Sequence, residues 1–383
     1  MIKAPSLQQD FKFEIVYQSQ YSQARVGKIY TPHGIINTPN FVAVGTNGSL
    51  KALPNHVLDD LGLQLMFCNT YHLLVQPGVE VIQKSGGLHR FINRQSPIIT
   101  DSGGFQVFSL AYGGVANELK SKGMKKYDSS VLKISEEGVV FRSYRNGEKI
   151  TLTPESSIQA QKAFGSDIII PLDELHPYHI DGKKLQESFD RTHRWELRSL
   201  QEHLKNPNHQ AIYAVIHGSI SPDLRQKSCE ILSQAEFNGF AIGGSLGKNL
   251  EELYDTVKVT TPHLPPEKPR HLLGIGDLPS LDKCVPLGID TFDSAYPTRS
   301  ARHGVLFSFS GTLKIERSLY AQDYSPIEED CPCFTCQNYT RAYLHHLFKA
   351  KEPSALALAS AHNVAFMVRK MQSYRNQILS GLI

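Results

Sequence analysis

Three aspartates stand at the ends of short apolar runs: Asp101 in TDSGGFQ, Asp173 in PLDE and Asp293 in DTFDSAYPTR. Carboxylates held close together can divide labour, one attacking carbon as a nucleophile while another moves protons as general acid and base. An aspartate at a strand end also serves as the cap of the next helix, so it is the threefold recurrence that points to a shared site. Gly103, Gly104, Gly243, Gly244, Gly274 and Gly276 surround these positions. Their missing side chains would let a flat ring approach the backbone closely, and Phe105, just after Asp101, offers a face for stacking. A second constellation is Cys331-Pro-Cys333-Phe-Thr-Cys336, followed by His362 in Ser-Ala-His-Asn. Three thiolates and one imidazole suit tetrahedral zinc, and four protein ligands leave no open position for water, so the site reads as structural. Spacing alone leaves the fourth ligand open, because His345 and His346 in YLHHLFKA compete with His362.

The elements that must position these residues recur along the chain. Eight apolar runs stop at polar or glycine tips: FVAV at Gly45 and Thr46, LMF at Cys68, Asn69 and Thr70, PIIT at Asp101, IIIPL at Asp173 and Glu174, YAVI at His217, GFAI at Gly243 and Gly244, LLGI at Gly276 and Asp277, and IDTFD at Asp293. Near-continuous apolar runs mark strands buried on both faces, and alternation with helical spacing implies parallel crossovers. Eight such units predict a (β/α)8 barrel, in which the strand tips converge on one mouth that carries the chemistry. Thr153, Pro154 and Gly165 punctuate one helix, and residues 180–206, 222–236 and 249–260 repeat apolar residues every three to four positions. The expected organisation is one barrel domain over 1–383. It would carry an N-terminal β-hairpin over 11–40, an insertion over 111–152 with a three-stranded meander turning at Glu137-Gly138 and Asn146-Gly147, and a zinc-binding subdomain over 305–370.

With 383 residues, 40% hydrophobic and 20% charged, the chain is neither disordered nor fibrous. No apolar stretch approaches the roughly 20 residues that cross a bilayer, and MIKAPSLQQDFKF lacks a signal-peptide core, so the expected setting is cytoplasmic with no membrane. Cys68, Cys229 and Cys284 are scattered singly, which argues against a disulfide framework. The net charge of +3 is too small to announce a polyanionic partner, but its distribution is uneven. From Arg341 onward Arg341, Lys349, Lys351, Arg369, Lys370 and Arg375 face only Glu352, and Arg299 and Arg302 follow directly after Asp293. Basic groups so placed suit a phosphate backbone.

The segments TDSGGFQVFSL, NTYHLLVQPG, GIDTFDSAYPTRSARHG and CPCFTCQNYTRAYLHHLFKAKE resemble those of tRNA-guanine transglycosylases of the bacterial and eukaryotic catalytic-subunit type, and the resemblance runs over about residues 12–375 in the family's order. It implies a (β/α)8 barrel with a zinc subdomain and an enzyme that replaces guanine at the wobble position of certain tRNA anticodons by a 7-substituted deazaguanine. Carried over by position, Asp293 matches the nucleophile, Asp101 the acid/base residue, Asp173 a hydrogen-bond partner of the base, Phe105 the ring that stacks on it and Gly244 a backbone contact. Asn69, His217, Ser245 and Gly274 would line the same pocket. The resemblance assigns the zinc ligands to Cys331, Cys333, Cys336 and His362, and contacts to the anticodon loop to Arg299 and Arg302. It also implies tRNA and a second copy of the chain as partners, with no redox or nucleotide cofactor. The chemistry suits these roles. A carboxylate can trap the oxocarbenium-like carbon covalently as the base leaves, and one acid/base group can serve both half-reactions. A target base that must leave its stack favours an unpaired loop.

Three departures bear on the incoming base. His217 stands where the family usually has glutamine, GGSLGK (243–248) places Gly247 where bacterial members carry valine, and Leu175 replaces a usual cysteine. Together they favour queuine over the 7-aminomethyl precursor. Two other readings are a non-catalytic tRNA-binding paralogue, against which Asp101 and Asp293 both argue, and a zinc-dependent barrel hydrolase, which needs metal ligands among the strand tips.

Overall fold

In the computed structural model, which describes residues 11–112, 131–180 and 182–383, three antiparallel strands come first: β1 (Lys12–Gln18), β2 (Arg25–Thr31) and β3 (Gly34–Thr38). The alternation over 11–40 predicts only a hairpin. A tight turn in which Thr31 Oγ1 donates to the Gly34 carbonyl (2.9 Å) returns the chain once more, and adds the third strand. Strands β4 (Asn40–Val44), β5 (Leu65–Cys68) and β6 (Ile98–Thr100) follow. Next comes an antiparallel sheet of β7 (Val131–Ile134), β8 (Val139–Arg142) and β9 (Lys149–Leu152). The part of the expected insertion over 113–130 lies outside the described residues.

Five further parallel strands complete the main sheet: β10 (Ile168–Ile169), β11 (Ala211–Ile216), β12 (Gly239–Ile242), β13 (Arg270–Leu272) and β14 (Thr291–Ser294). Strands β4, β5, β6 and β10–β14 close into an eight-stranded barrel in chain order, with β14 pairing back on β4. This is the (β/α)8 barrel that the eight runs predict. Alternate residues explain why the runs are so apolar. Val42, Leu65, Phe67, Ile99, Ile168 and Val215 fill the interior, while Ala43, Met66, Ile98, Ile169, Ala214 and Ile216 pack in the larger core that takes in helical residues such as Ile158 and Leu232. Burying each large side chain stabilises by about 1.5–3 kcal/mol.

The helices sit where their punctuation places them. Pro154–Phe164 begins at a reciprocal cap between Thr153 and Ser156 and ends on Gly165, and Gly182–Leu204, Pro222–Ser233 and Leu250–Thr260 follow. Strand β13 begins two residues before the LLGI run. Its Arg270 and His271 are tolerated inside the sheet because Arg270 N–H donates to Asp290 (2.7 Å) and His271 is bonded at both nitrogens.

Ile29 and Ile36 of the N-terminal sheet join the interior cluster and plug the barrel floor. Two buried carboxylates fasten that plug. Asp290 receives Arg25 through both oxygens (2.9 and 2.6 Å), and Asp167 meets His33 (2.7 Å) and His89 (3.1 Å). Burial by itself would push the Asp167 carboxyl up, but the hydrogen bonds from the two histidines outweigh it and hold the group well below the usual carboxylate range.

Beyond β14 the chain forms the helix Tyr296–Arg302 and a hairpin of β15 (Val305–Ser308) and β16 (Gly311–Lys314). The helices Arg341–Ala350 and Pro353–Leu379 complete the C-terminal unit. Among the described residues no helix is long and apolar enough to cross a membrane.

Candidate active site and metal centre

Because all eight strands are parallel, their C-terminal ends share one rim, and the three aspartates lie on it. Asp101 follows β6, Asp173 lies beyond β10, and Asp293 is the third residue of β14. Asp101 is buried and tightly held. Its Oδ2 accepts from Asn69 Nδ2 (2.7 Å), and its Oδ1 from the backbone N–H groups of Thr70 (2.7 Å) and Gly103 (3.2 Å). Desolvation outweighs these bonds and pushes its pKa up to about 6, which poises it to give and take protons near neutral pH.

Asp293 is arranged differently. Its Oδ1 accepts from Gly274 N–H (2.7 Å) and lies 3.0 Å from His271 Nε2. Thr291 Oγ1, 2.8 Å from His271 Nδ1, orients that imidazole so that Nε2–H donates to the carboxylate. Among the described residues only Oδ1 is engaged, which leaves Oδ2 to act on a substrate. The sequence gives no warning of His271, whose polar side chain sits in an otherwise apolar strand. Replacing His271 by phenylalanine removes a charge-assisted hydrogen bond of about 1.5–3 kcal/mol. Turnover is expected to fall roughly 10- to 100-fold, with no further loss when the change is added to Asp293→Ala; an additive loss in that double-mutant cycle would refute the positioning role.

Asp173 is linked to both neighbours. Ser102 Oγ lies 3.4 Å from its Oδ1, and His217 Nε2 lies 3.0 Å from its Oδ2. His217 therefore faces another side chain of the site, and its second nitrogen faces Gly244. A Cβ on Gly244, which has φ of +72°, would come within 2.8 Å of His217 Nδ1, so only glycine fits beside this histidine. Asn69 and Gly274 hold Asp101 and Asp293 respectively.

Ser245 offers its carbonyl to Arg225 (3.0 Å), and that guanidinium also donates to the carbonyls of Ile216, Ser219 and Gly243, bracing the loops after β11 and β12. Arg225 is another residue the sequence does not single out. Gly247 (φ +105°) has a reason of its own to be glycine, since a Cβ there would sit 2.5 Å from Glu252 Cβ. Phe105 lies in the first turn of the helix Gly104–Tyr112 and is 49% exposed, so its ring retains open surface. Arg299 and Arg302 ride on the helix that leaves β14, Arg299 exposed and Arg302 half-buried.

The thiols of Cys331, Cys333 and Cys336 surround His362, with Sγ to Nδ1 distances of 3.8, 3.7 and 3.3 Å. Bonds of about 2.3 Å to sulfur and 2.0 Å to nitrogen would place S and N about 3.5 Å apart in a tetrahedron. The cluster therefore fits a metal ion. His362 Nε2 is 2.7 Å from the Phe307 carbonyl, which leaves Nδ1 as the ligand atom. His345 instead meets the Ile315 carbonyl (2.8 Å). Among the described residues the one other group of donors within reach of a common ion is His33, His89 and Asp167, on the barrel floor. Among the described residues no such group lies at the mouth, where a hydrolytic metal would be needed.

A family model described as queuine tRNA-ribosyltransferase matches residues 20–383. The chain belongs to the queuine tRNA-ribosyltransferase family. A queuine tRNA-ribosyltransferase of Protochlamydia amoebophila is 62% identical over 373 residues, covering 97% of this chain and 96% of that one. One from Chlamydia caviae is 56% identical over 373 residues, with 97% and 99% covered. The chain is accordingly an enzyme of a pentosyltransferase family, built on the barrel and the Cys3His cluster described above.

Proposed function

We propose that this enzyme exchanges guanine at the wobble position of a tRNA anticodon for a 7-deazaguanine base, through a covalent link between Asp293 and the ribose. The contrast between the two carboxylates carries the reading: Asp293 keeps one oxygen free, and Asp101 has a pKa of about 6. In the first step Asp293 Oδ2 bonds to C1′ of the ribose as the bond from C1′ to guanine breaks. The bonding pair leaves with the base, which takes a proton from Asp101. In the second step the incoming base gives a proton to the Asp101 carboxylate and attacks C1′, releasing Asp293, so the sugar keeps its configuration. Asp173 and Phe105 are assigned to hold the base, Gly244 to contact it through the backbone, and Arg299 and Arg302 to hold the anticodon loop. His217 acts on the base through Asp173.

This scheme sets opposite pH requirements for the half-reactions. Adduct formation needs protonated Asp101 and should fade as pH rises above about 6, whereas adduct resolution needs the carboxylate and should slow as pH falls below about 6. Quenched-flow sampling should find the adduct fraction rising towards acid pH, and a pH-independent fraction would contradict the roles given to Asp101.

Queuine is the base we assign, because Gly247 and Leu175 leave out the valine and cysteine side chains of bacterial members. Exchange assays with both bases on unmodified tRNA test this, with queuine expected to give the higher kcat/KM and a preference for the aminomethyl compound overturning it. The ion assigned to the Cys3His cluster is structural zinc. A homodimer and a cytoplasmic setting are adopted with the rest of the reading. The non-catalytic paralogue is disfavoured because both Asp101 and Asp293 are present.

A further inference from the structure

Beside the mouth, the turn between β8 and β9 carries Tyr144, whose ring is 58% exposed. Its other face stacks on Tyr71 (centroids 6.0 Å apart, planes at 29°), and His72 packs edge-on at 6.1 Å. Tyr71 is itself fixed, since its ring is buried and lies 5.3 Å from Phe141. Its backbone neighbour Thr70 donates the N–H that holds Asp101. The exposed ring thus stands at the end of an aromatic stack rooted at Tyr71, next to the residue whose N–H holds the acid/base carboxylate. Basic groups flank it. Arg142, Arg145 and Lys149 lie on or beside the same turn and Lys51 is close enough to act on His72; all four are exposed. Among the described residues none of the four is in an ion pair, and the one acid of the turn, Glu148, accepts from Asn146.

A flat exposed ring on a turn that also carries exposed cations suits single-stranded nucleic acid, with a base on the aromatic face and phosphates on the cations.

We infer that the β8–β9 turn is a nucleotide-binding platform on which Tyr144 stacks an unpaired base neighbouring the exchanged one, while Arg142, Arg145 and Lys51 hold its phosphates. The inference rests on the reading of an RNA-loop substrate and adds a contact that reading does not contain. It gives the flipped nucleotide's neighbour a place to stack once the loop is opened, which would lower the cost of extruding the target base.

The test uses the full-length enzyme and an anticodon stem-loop with 2-aminopurine beside the wobble guanine. Native enzyme should quench the probe, Tyr144→Phe should match it, and Tyr144→Ala should lose the quench. In base exchange Tyr144→Ala should raise KM for RNA about tenfold, the range of one stacked base, with kcat and KM for the free base within about twofold. Arg145→Gln should reduce the slope of log affinity against log salt by about one. Equal quenching and equal KM for native enzyme and Tyr144→Ala would overturn the platform. RNA that binds and is quenched but undergoes no exchange would sink the parent reading while supporting the platform, so the two failures are distinguishable.

Discussion

In the Asp293→Ala enzyme, base exchange into tRNA is expected to drop by about four orders of magnitude or more, the scale seen when a covalent nucleophile is removed. No protein–RNA adduct should survive denaturation. The size of the effect follows from the geometry. Gly274 N–H and His271 fix one carboxylate oxygen and, among the described residues, leave the other unengaged for the attack proposed above, whereas the other two aspartates of the rim are held differently. Asp101 is enclosed by Asn69, Thr70 and Gly103, and Asp173 is tied to Ser102 and His217. RNA binding should persist in the variant, because Arg299 and Arg302 lie on a different element. Gel-shift titration beside single-turnover kinetics separates the two effects. Near-native exchange by Asp293→Ala would mean that another group attacks the ribose.

The second large effect is expected on removing the zinc proposed for the Cys3His cluster. Chelation, or Cys336→Ser, should lower the unfolding free energy by several kcal/mol, because binding to such a cluster is itself folding free energy. The loss should reach the RNA through a traceable path. His362 and Asn363 are adjacent in the helix Pro353–Leu379. Asn363 accepts from Phe307 N–H (3.0 Å) and donates to the carbonyls of Pro297 (3.0 Å) and Val305 (2.9 Å). Pro297 lies in the first turn of the helix that presents Arg299 and Arg302. Freed from its metal, His362 no longer fixes this register, so KM for tRNA should rise more than affinity for the free base falls. Calorimetry with and without chelator, together with both binding constants, checks this. An unchanged melting temperature in metal-free enzyme would refute the structural role.

The barrel is legible in the sequence because strands buried on both faces must be apolar almost throughout, and their polar ends are then conspicuous. Asp101, Asp173 and Asp293 stand out for that reason, and the cysteine spacing marks its own cluster. What stays hidden is support from polar residues inside apolar elements. His271 sits within a strand because Thr291 and Asp293 satisfy both of its nitrogens, and Arg225 is buried because four carbonyls surround it. Neither arrangement leaves a periodic trace, since each depends on partners brought in from distant parts of the chain. Asn69, Gly274 and His217, visible in the sequence only as polar or glycine positions at the strand tips, make their contacts with the aspartates. Gly247 likewise has a reason the sequence does not disclose, in the close approach of Glu252.

The most direct measurement is peptide mapping of the enzyme quenched during turnover on an anticodon stem-loop at about pH 5.5, on the acid side of Asp101. After nuclease and trypsin digestion, fragmentation mass spectrometry should place one ribonucleotide, lacking its base, on Asp293 within the peptide Cys284–Arg299. The same mass on Asp101 or Asp173, or rapid exchange with no modified peptide at any pH, would contradict the assignment of Asp293 as the group that takes up the ribose.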